Sequence, residues 1–284
     1  MENSLMQVQQ YFTQDNIKSR FEAVLKDKAP QFMTSITNAI RNNNSLQKCD
    51  SQSIISAALV AATYDLPIDS NLGFSALVPY NDKNDGYRAQ FQMMYKGFVQ
   101  LAIRSGAYEK MNVSEVYEDE FVDYSPITGE LNLHKGYIKD GCRAQGDTSK
   151  IVGYYAWFKL LTGFQKDLYM TVEEITNHAK RYSASYKRDL NQKRSSSKWT
   201  TDFEAMAKKT VLKLLLSKWG ILSIDMQRAI QDDQKIYDSE GNENYGDNPE
   251  KNMPDAYDPF GNSPDDDMQE NYEESEEKQN DTDQ

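Results

Sequence analysis

The spacing of apolar residues alternates along this chain between helical and strand periods, which restricts it to a fold that mixes helices with antiparallel strands. Ile17, Phe21, Val24 and Leu25 share one helical face, so a helix is predicted near 15–28. A second is predicted near 31–42, with Pro30 as the break and Ala29 pushed away from helical geometry. A third, near 51–64, is apolar and alanine-rich, with Asp50 or Ser51 as its cap. The period then drops to two. Residues 72–80 and 87–94 predict strands joined as a hairpin through Asp85-Gly86. Tyr87, Ala89, Phe91 and Met93 predict an apolar face, and Arg88, Gln90, Gln92 and Met94 a mainly polar one carrying a cation.

The next helix is predicted over 95–105, with Gly106 as its stop. Short strands follow at 112–118, 121–124, 130–134, 151–161 and 164–170, the last two joined by Thr162-Gly163. Thr171 and Glu174 fit a capping box that opens a helix to about Tyr186. The segment KRDLNQKRSSSKW reads as a mobile basic loop. Thr201 and Glu204 fit a second capping box, starting a helix to about Trp219 whose core face holds Phe203, Met206, Val211, Leu214 and Leu215. The expected fold class is α+β, with a central antiparallel sheet and a hairpin flanked by helices. Residues 1–14 are expected to be flexible, 15–228 to form one folded body, and 229–284 to be a disordered acidic tail with little to bury.

Charge divides along the same boundary. The whole chain carries -12, but Ala229 to Gln284 holds 19 acidic and 3 basic residues, or -16. Met1 to Arg228 holds 25 acidic and 29 basic residues, or +4. A weakly basic body with a strongly acidic tail is an asymmetry that accompanies nucleic-acid binding.

Several chemistries are excluded by what the sequence lacks. No run reaches the ~20 apolar residues that span a bilayer, so no membrane partner is expected. The first residues, MENSLMQVQQ, lack the basic-then-apolar pattern of a secretory signal. Cys49 and Cys142 lie far apart, without metal-ligand spacing, and read as free thiols in a reducing compartment. His134 and His178 are isolated. Gly141 to Thr148 imitates the glycine spacing of a phosphate loop, but Asp147 stands where that loop needs a lysine, and a carboxylate there repels phosphate. Glu115, Glu118, Asp119 and Glu120 read as a solvated acidic face rather than a metal site. No catalytic residue, metal or cofactor is expected.

The basic and aromatic residues point elsewhere. From His178 to Trp219 there are 11 Lys/Arg and 3 Asp/Glu, or +8 with the histidine neutral. Lys209 and Lys213 share a helix face, with Lys208 beside them. Arg188, Lys193, Arg194 and Lys198 precede them, with Trp199 as a stacking candidate. Arg88, Lys96, Arg104 and Lys110 form a second basic set, with Tyr95 and Phe98 among them. Cations that follow a phosphate backbone, interleaved with aromatics that accept any base, suit sequence-tolerant binding of a single strand.

Three segments carry a family resemblance: AALVAATYDLPIDSNLGFSALVPY, RAQFQMMYKGFVQLAIRSG and FEAMAKKTVLKLLLSKWGILSIDMQ resemble the phage RecT family of recombination proteins in order and spacing. The likeness covers roughly residues 15–230. The 80–87 turn is longer here and the tail unusually acidic. The resemblance implies an annealing fold distantly like the lambda Red beta protein. It implies binding of single-stranded DNA, pairing of complementary strands into duplex, and assembly into homo-oligomeric rings or filaments. Implied partners are a phage 5'→3' exonuclease and the host single-strand-binding protein, in the bacterial cytoplasm. By motif, Lys96, Arg104, Lys208 and Lys209 are the implied DNA contacts; Arg88, Gln92, Lys110, Lys198, Trp199 and Lys213 are added from the local pattern. The competing expectation is a protein that binds and protects single strands without annealing them.

Overall fold

The computed structural model describes residues 4–69, 71–82, 86–134, 138–139, 142–143, 150–221, 223–237 and 243–245. Its first helix, α1 (Ser4–Thr13), lies where a flexible terminus was expected. Val8 is fully buried, with Leu5 and Phe12 packed beside it. The positions 5, 8 and 12 form a helical stripe diluted by glutamines, which hid it as a pattern. The Ser4 hydroxyl also donates to the Gln47 carbonyl at 2.6 Å.

Helix α2 (Asp15–Leu25) ends where Lys26 adopts φ 51°, and a single 3-10 turn at Lys26–Lys28 leads into α3 (Ala29–Arg41). The expected break at Pro30 is therefore displaced. Proline sits in the first turn of α3, where its missing N–H has no intrahelical partner to lose, and Ala29 is helical. Helix α4 (Ser51–Thr63) is capped by Asp50, whose carboxylate accepts from the Ser53 amide at 2.7 Å.

Strands β1 (Ser75–Asp82) and β2 (Gly86–Met93) pair antiparallel, from Ser75 opposite Met93 to Asp82 opposite Gly86. The expected turn residue Asp85 lies outside the described residues. Helix α5 (Tyr95–Arg104) packs close to the base of this hairpin. A Cβ on Gly97 would lie 2.4 Å from the Phe74 carbonyl oxygen, so the glycine of the YKG motif is required by close approach.

Strand β3 (Tyr108–Tyr117) opens the second sheet, followed by the small pair β4 (Phe121–Tyr124) and β5 (Leu131–Leu133). The two-residue strands β6 (Ile138–Lys139) and β7 (Cys142–Arg143) pair with each other. The rest of the 141–148 turn lies outside the described residues. Strands β8 (Ile151–Leu160) and β9 (Gln165–Thr171) complete an antiparallel sheet of order β3-β8-β9. This sheet and the separate β1-β2 hairpin agree with the expected mixed class.

The capping box at Thr171 and Glu174 forms as expected and starts α6 (Val172–Tyr182). That helix stops earlier than expected, because Ser183 turns extended and caps α7 (Ala184–Gln192). After the single turn α8 (Lys198–Thr201) comes α9 (Phe203–Trp219). Its cap is Asp202, not Thr201; Glu204 is engaged by Lys208 instead. Helix α9 is the spine of the core, packed against β8, β9, β3 and α5. Met206, Ala207, Val211, Leu212, Leu215 and Leu216 are buried.

The body does not end at Arg228. Helix α10 (Ile224–Asp232) continues past it, and Ala229, Asp233 and Ile236 are buried. Strand β10 (Ile236–Tyr237) pairs with β11 (Glu243–Asn244). The Gln234 amide donates to the Phe91 carbonyl, and the Met93 amide donates to Asp233. Asp50 N–H and Ser53 Oγ serve the same strand through Tyr87 and Ala89. Strand β2 is thus covered along its outer edge. That covering also buries its polar positions, Arg88, Gln90 and Gln92, which alternation alone placed on a polar face. Residues 246–284, most of the acidic tail, lie outside the described residues.

Candidate nucleic-acid interface

The lysines implied as DNA contacts on α9 are already engaged. Lys209 is 4% exposed and its Nζ lies 2.9 Å from Asp233 Oδ1. Lys213 lies 2.6 Å from Asp233 Oδ2. Burial alone would raise the Asp233 carboxyl pKa; the two ammonium groups outweigh it and hold the group well below the usual carboxylate range. Lys208 bridges Glu204 on its own helix, at 2.5 Å, and Glu115 on β3, at 2.8 Å. The i, i+4 spacing is visible in sequence; the partners on β3 and after α10 are not, since they come from distant parts of the chain.

The other predicted residues divide between interior and surface. Arg88 is 7% exposed and its guanidinium lies 3.9 Å from Asp50; Gln92 is buried in the same strand. Arg104 donates to the carbonyls of Tyr64 and Asp65 at 2.6 and 3.0 Å, which satisfies the C-terminal end of α4. Trp199 is 6% exposed, its ring 6.0 Å from Tyr186 and 5.9 Å from Phe203, so it is a core aromatic. Lys96, Lys110 and Lys198 are exposed. The structure therefore does not bring the ten together into one surface.

A different group of cations is both exposed and unpaired. Lys180, Lys187, Arg188, Lys193, Arg194 and Lys198 project from α6, α7, α8 and the loop between the last two, and none has an ion-pair partner among the described residues. Helices α6, α7 and α8 pack in succession, so these charges share one part of the molecule. The loop expected to be mobile is built around Asp189, which is 1% exposed. Its Oδ2 accepts from the amides of Ser196 and Ser197, at 2.9 and 2.7 Å, and from the Thr200 hydroxyl at 2.7 Å. Its Oδ1 accepts from the Ser196 hydroxyl at 2.5 Å. Sequence reasoning missed Asp189; the Asp-x6-Ser-Ser-x2-Thr spacing was its only trace.

Beside this region lies a cavity of about 190 Å³, lined by His178, Tyr182, Trp199, Lys209, Lys213 and Asp233 among others. The His178 ring is 4.6 Å from Tyr182. Burial, then Lys213 and Arg181, push its pKa down to about 4, so it is neutral at pH 7 and adds no positive charge. Trp219, 44% exposed with Lys166 over its ring at 5.1 Å, is an accessible aromatic that sequence reasoning did not single out as a contact.

Among the described residues no group of His, Cys, Asp and Glu could hold a metal ion. Cys49 is a buried free thiol whose pKa is raised to about 12 by burial and then by Asp50. Among the described residues no helix is long and apolar enough to cross a membrane.

The RecT family model matches residues 30–249, which runs from the second residue of α3 through β11 and leaves out α1 and α2. The protein YqaK of Bacillus subtilis (strain 168) is 42% identical over 215 residues, covering 76% of this chain and 68% of the relative. Protein RecT of Escherichia coli (strain K12) is 27% identical over 234 residues, covering 79% of each.

Proposed function

The chain belongs to the RecT family, and from that premise we propose that it binds single-stranded DNA without reading its sequence and anneals complementary strands in homologous recombination, without ATP and without cutting. The observation that carries the DNA-binding reading is the set of exposed cations on α6, α7, α8 and the loop between the last two, none of which has an ion-pair partner among the described residues. A phosphate gains little from a lysine that must first leave a buried carboxylate, because breaking such a pair strands a charge. It gains directly from an exposed cation that releases a counterion on binding. These exposed cations are thus the primary phosphate contact, and Lys208, Lys209 and Lys213 are secondary.

Annealing needs no chemical energy source, since pairing and stacking supply the free energy. The protein must offset repulsion between strands and hold one strand with its bases accessible. Phosphate contacts do the first without reading sequence. Self-assembly aligns many weak sites along one strand, which raises overall affinity without a new contact. The working form is therefore a homo-oligomer, ring or filament. A phage exonuclease that exposes single strands and the host single-strand-binding protein are its proposed partners, in the bacterial cytoplasm.

The test is sequential loading. The full-length chain is bound to one labelled oligonucleotide, excess protein is removed, and the complement is added without nucleotide. The reading expects duplex to form faster than in protein-free controls, with both strands at full length. A strand that stays single would identify a protective binding protein instead.

A further inference from the structure

We propose that Asp189 is a positioning residue for DNA binding: it touches no DNA, and it holds the segment carrying Lys193, Arg194 and Lys198 in the conformation that meets phosphate. The inference rests on the DNA-binding reading above and adds to it the device that shapes the site.

Four donors converge on this one carboxylate. Two are the backbone amides of Ser196 and Ser197 and two the hydroxyls of Ser196 and Thr200, all between 2.5 and 2.9 Å. The Arg194 amide donates to the Asp189 main-chain carbonyl at 2.9 Å. Lys193 closes α7 in a left-handed conformation, φ 50°, which a lysine rarely adopts without support. The tie therefore runs from α7, across the loop, to the first turn of α8. Without it, the polar run QKRSSSK has no apolar side chain to fix it, and ordering it on DNA would cost backbone entropy at each binding event. A loop already in place avoids that cost.

A bulk-charge argument predicts the opposite sign. Asp189 is an anion amid cations, so removing it makes the region more positive and should tighten DNA binding. Positioning predicts weaker binding.

The experiment compares Asp189→Ala and Asp189→Asn in the full chain, by fluorescence anisotropy with a labelled single strand at several salt concentrations. Asp189→Ala should weaken binding about tenfold and reduce the log-log salt slope by up to ~2, about 0.7 for each of three lost phosphate contacts. Asp189→Asn keeps an oxygen for the Ser196, Ser197 and Thr200 donors, and its amide can donate to Ser196 Oγ, so it should retain most of the affinity and slope. Should Asp189→Ala fail to fold, the pair Ser196→Ala with Thr200→Val removes two of the four donors and should produce a smaller loss in the same direction. An unchanged slope in Asp189→Ala, tighter binding in it, or equal losses in Ala and Asn overturns the proposal. Hydrogen exchange at the Ser196 and Ser197 amides reads the tie without DNA. Protection there in a wild-type chain that binds no single strand would sink the functional reading while leaving the tie intact.

Discussion

Lys209 Nζ lies 2.9 Å from Asp233 Oδ1 inside the fold, so a lysine that the sequence places among DNA contacts is part of the core. The carboxylate also takes Lys213 and the Met93 amide, joining α9, β2 and the segment after α10. Asp233→Ala leaves two ammonium groups near one another without their counter-charge, and should destabilise the fold by about 3–5 kcal/mol. Thermal or urea unfolding of the variant checks this. A loss below ~1 kcal/mol would mean that the cluster relaxes into solvent at no cost.

Lys209 and the exposed cations of the α7–α8 segment should separate in a salt titration. Replacing Lys193, Arg194 and Lys198 with Ala should lower the log-log slope for single-strand binding by about 2 and leave thermal stability nearly unchanged. Lys209→Ala should do the reverse, lowering stability with little change of slope. A slope that responds to Lys209 and not to these three cations would return the phosphate contacts to α9.

Stability should fall with acid in two stages. His178 is held at about 4 in the fold and titrates near 6.5 when unfolded, so the unfolded chain gains a proton first as pH drops. Stability is then lost progressively from about pH 6.5 toward 4. Asp189 and Asp233 are held below their ordinary values, so their contribution is present above about pH 3.9 and disappears as pH falls through their folded pKa values. Melting temperatures between pH 7.5 and 3 test the first stage and the onset of the second. His178→Gln should remove the first stage only.

The tail boundary sets a fourth prediction. Residues 246–284 carry fourteen carboxylates and two lysines, so they remove the entire net charge of -12 from the chain when deleted. The described chain leads to Tyr245, whose hydroxyl donates to the Gln231 carbonyl. A polyanion tethered there is held at a local concentration on the order of mM near the basic surface. Truncation after Tyr245 should tighten binding to short oligonucleotides at low salt, with a gain that shrinks as salt is raised. Equal affinities at low salt would leave the tail as a solubility device. Truncation after Arg228 would instead remove Asp233 and Ile236 from the core and should unfold the chain.

Local signals were legible where one element carried them. The Asp50 cap, the Thr171–Glu174 box and the β1-β2 pairing follow from spacing within a few residues. The core face of α9 follows only in part: Met206, Val211 and Leu215 are buried as expected, while Leu212 and Leu216 are buried in place of the half-buried Phe203 and Leu214. What spacing could not show was which polar residues meet each other. Arg88 alternates onto a face that looks polar until α4 and the 233–237 segment cover the strand. Lys209 looks unpaired until Asp233 arrives from the segment after α10, and Lys208 gains, beyond its helical neighbour Glu204, a partner in Glu115 on a distant strand. Asp189 works in the other direction: a residue that lowers the local positive charge organises the segment that carries it.

The central claim is that this chain pairs complementary strands through the exposed cations of α6, α7, α8 and the loop between the last two. Its most direct test is the rate of pairing between two dye-labelled complementary oligonucleotides, without nucleotide, in the presence of wild-type chain or the Lys193, Arg194 and Lys198 triple-alanine variant. The account predicts clear acceleration over protein-free mixing by the wild type and most of that acceleration lost in the variant. Pairing no faster than in buffer with wild type, or equal acceleration by both, would contradict it.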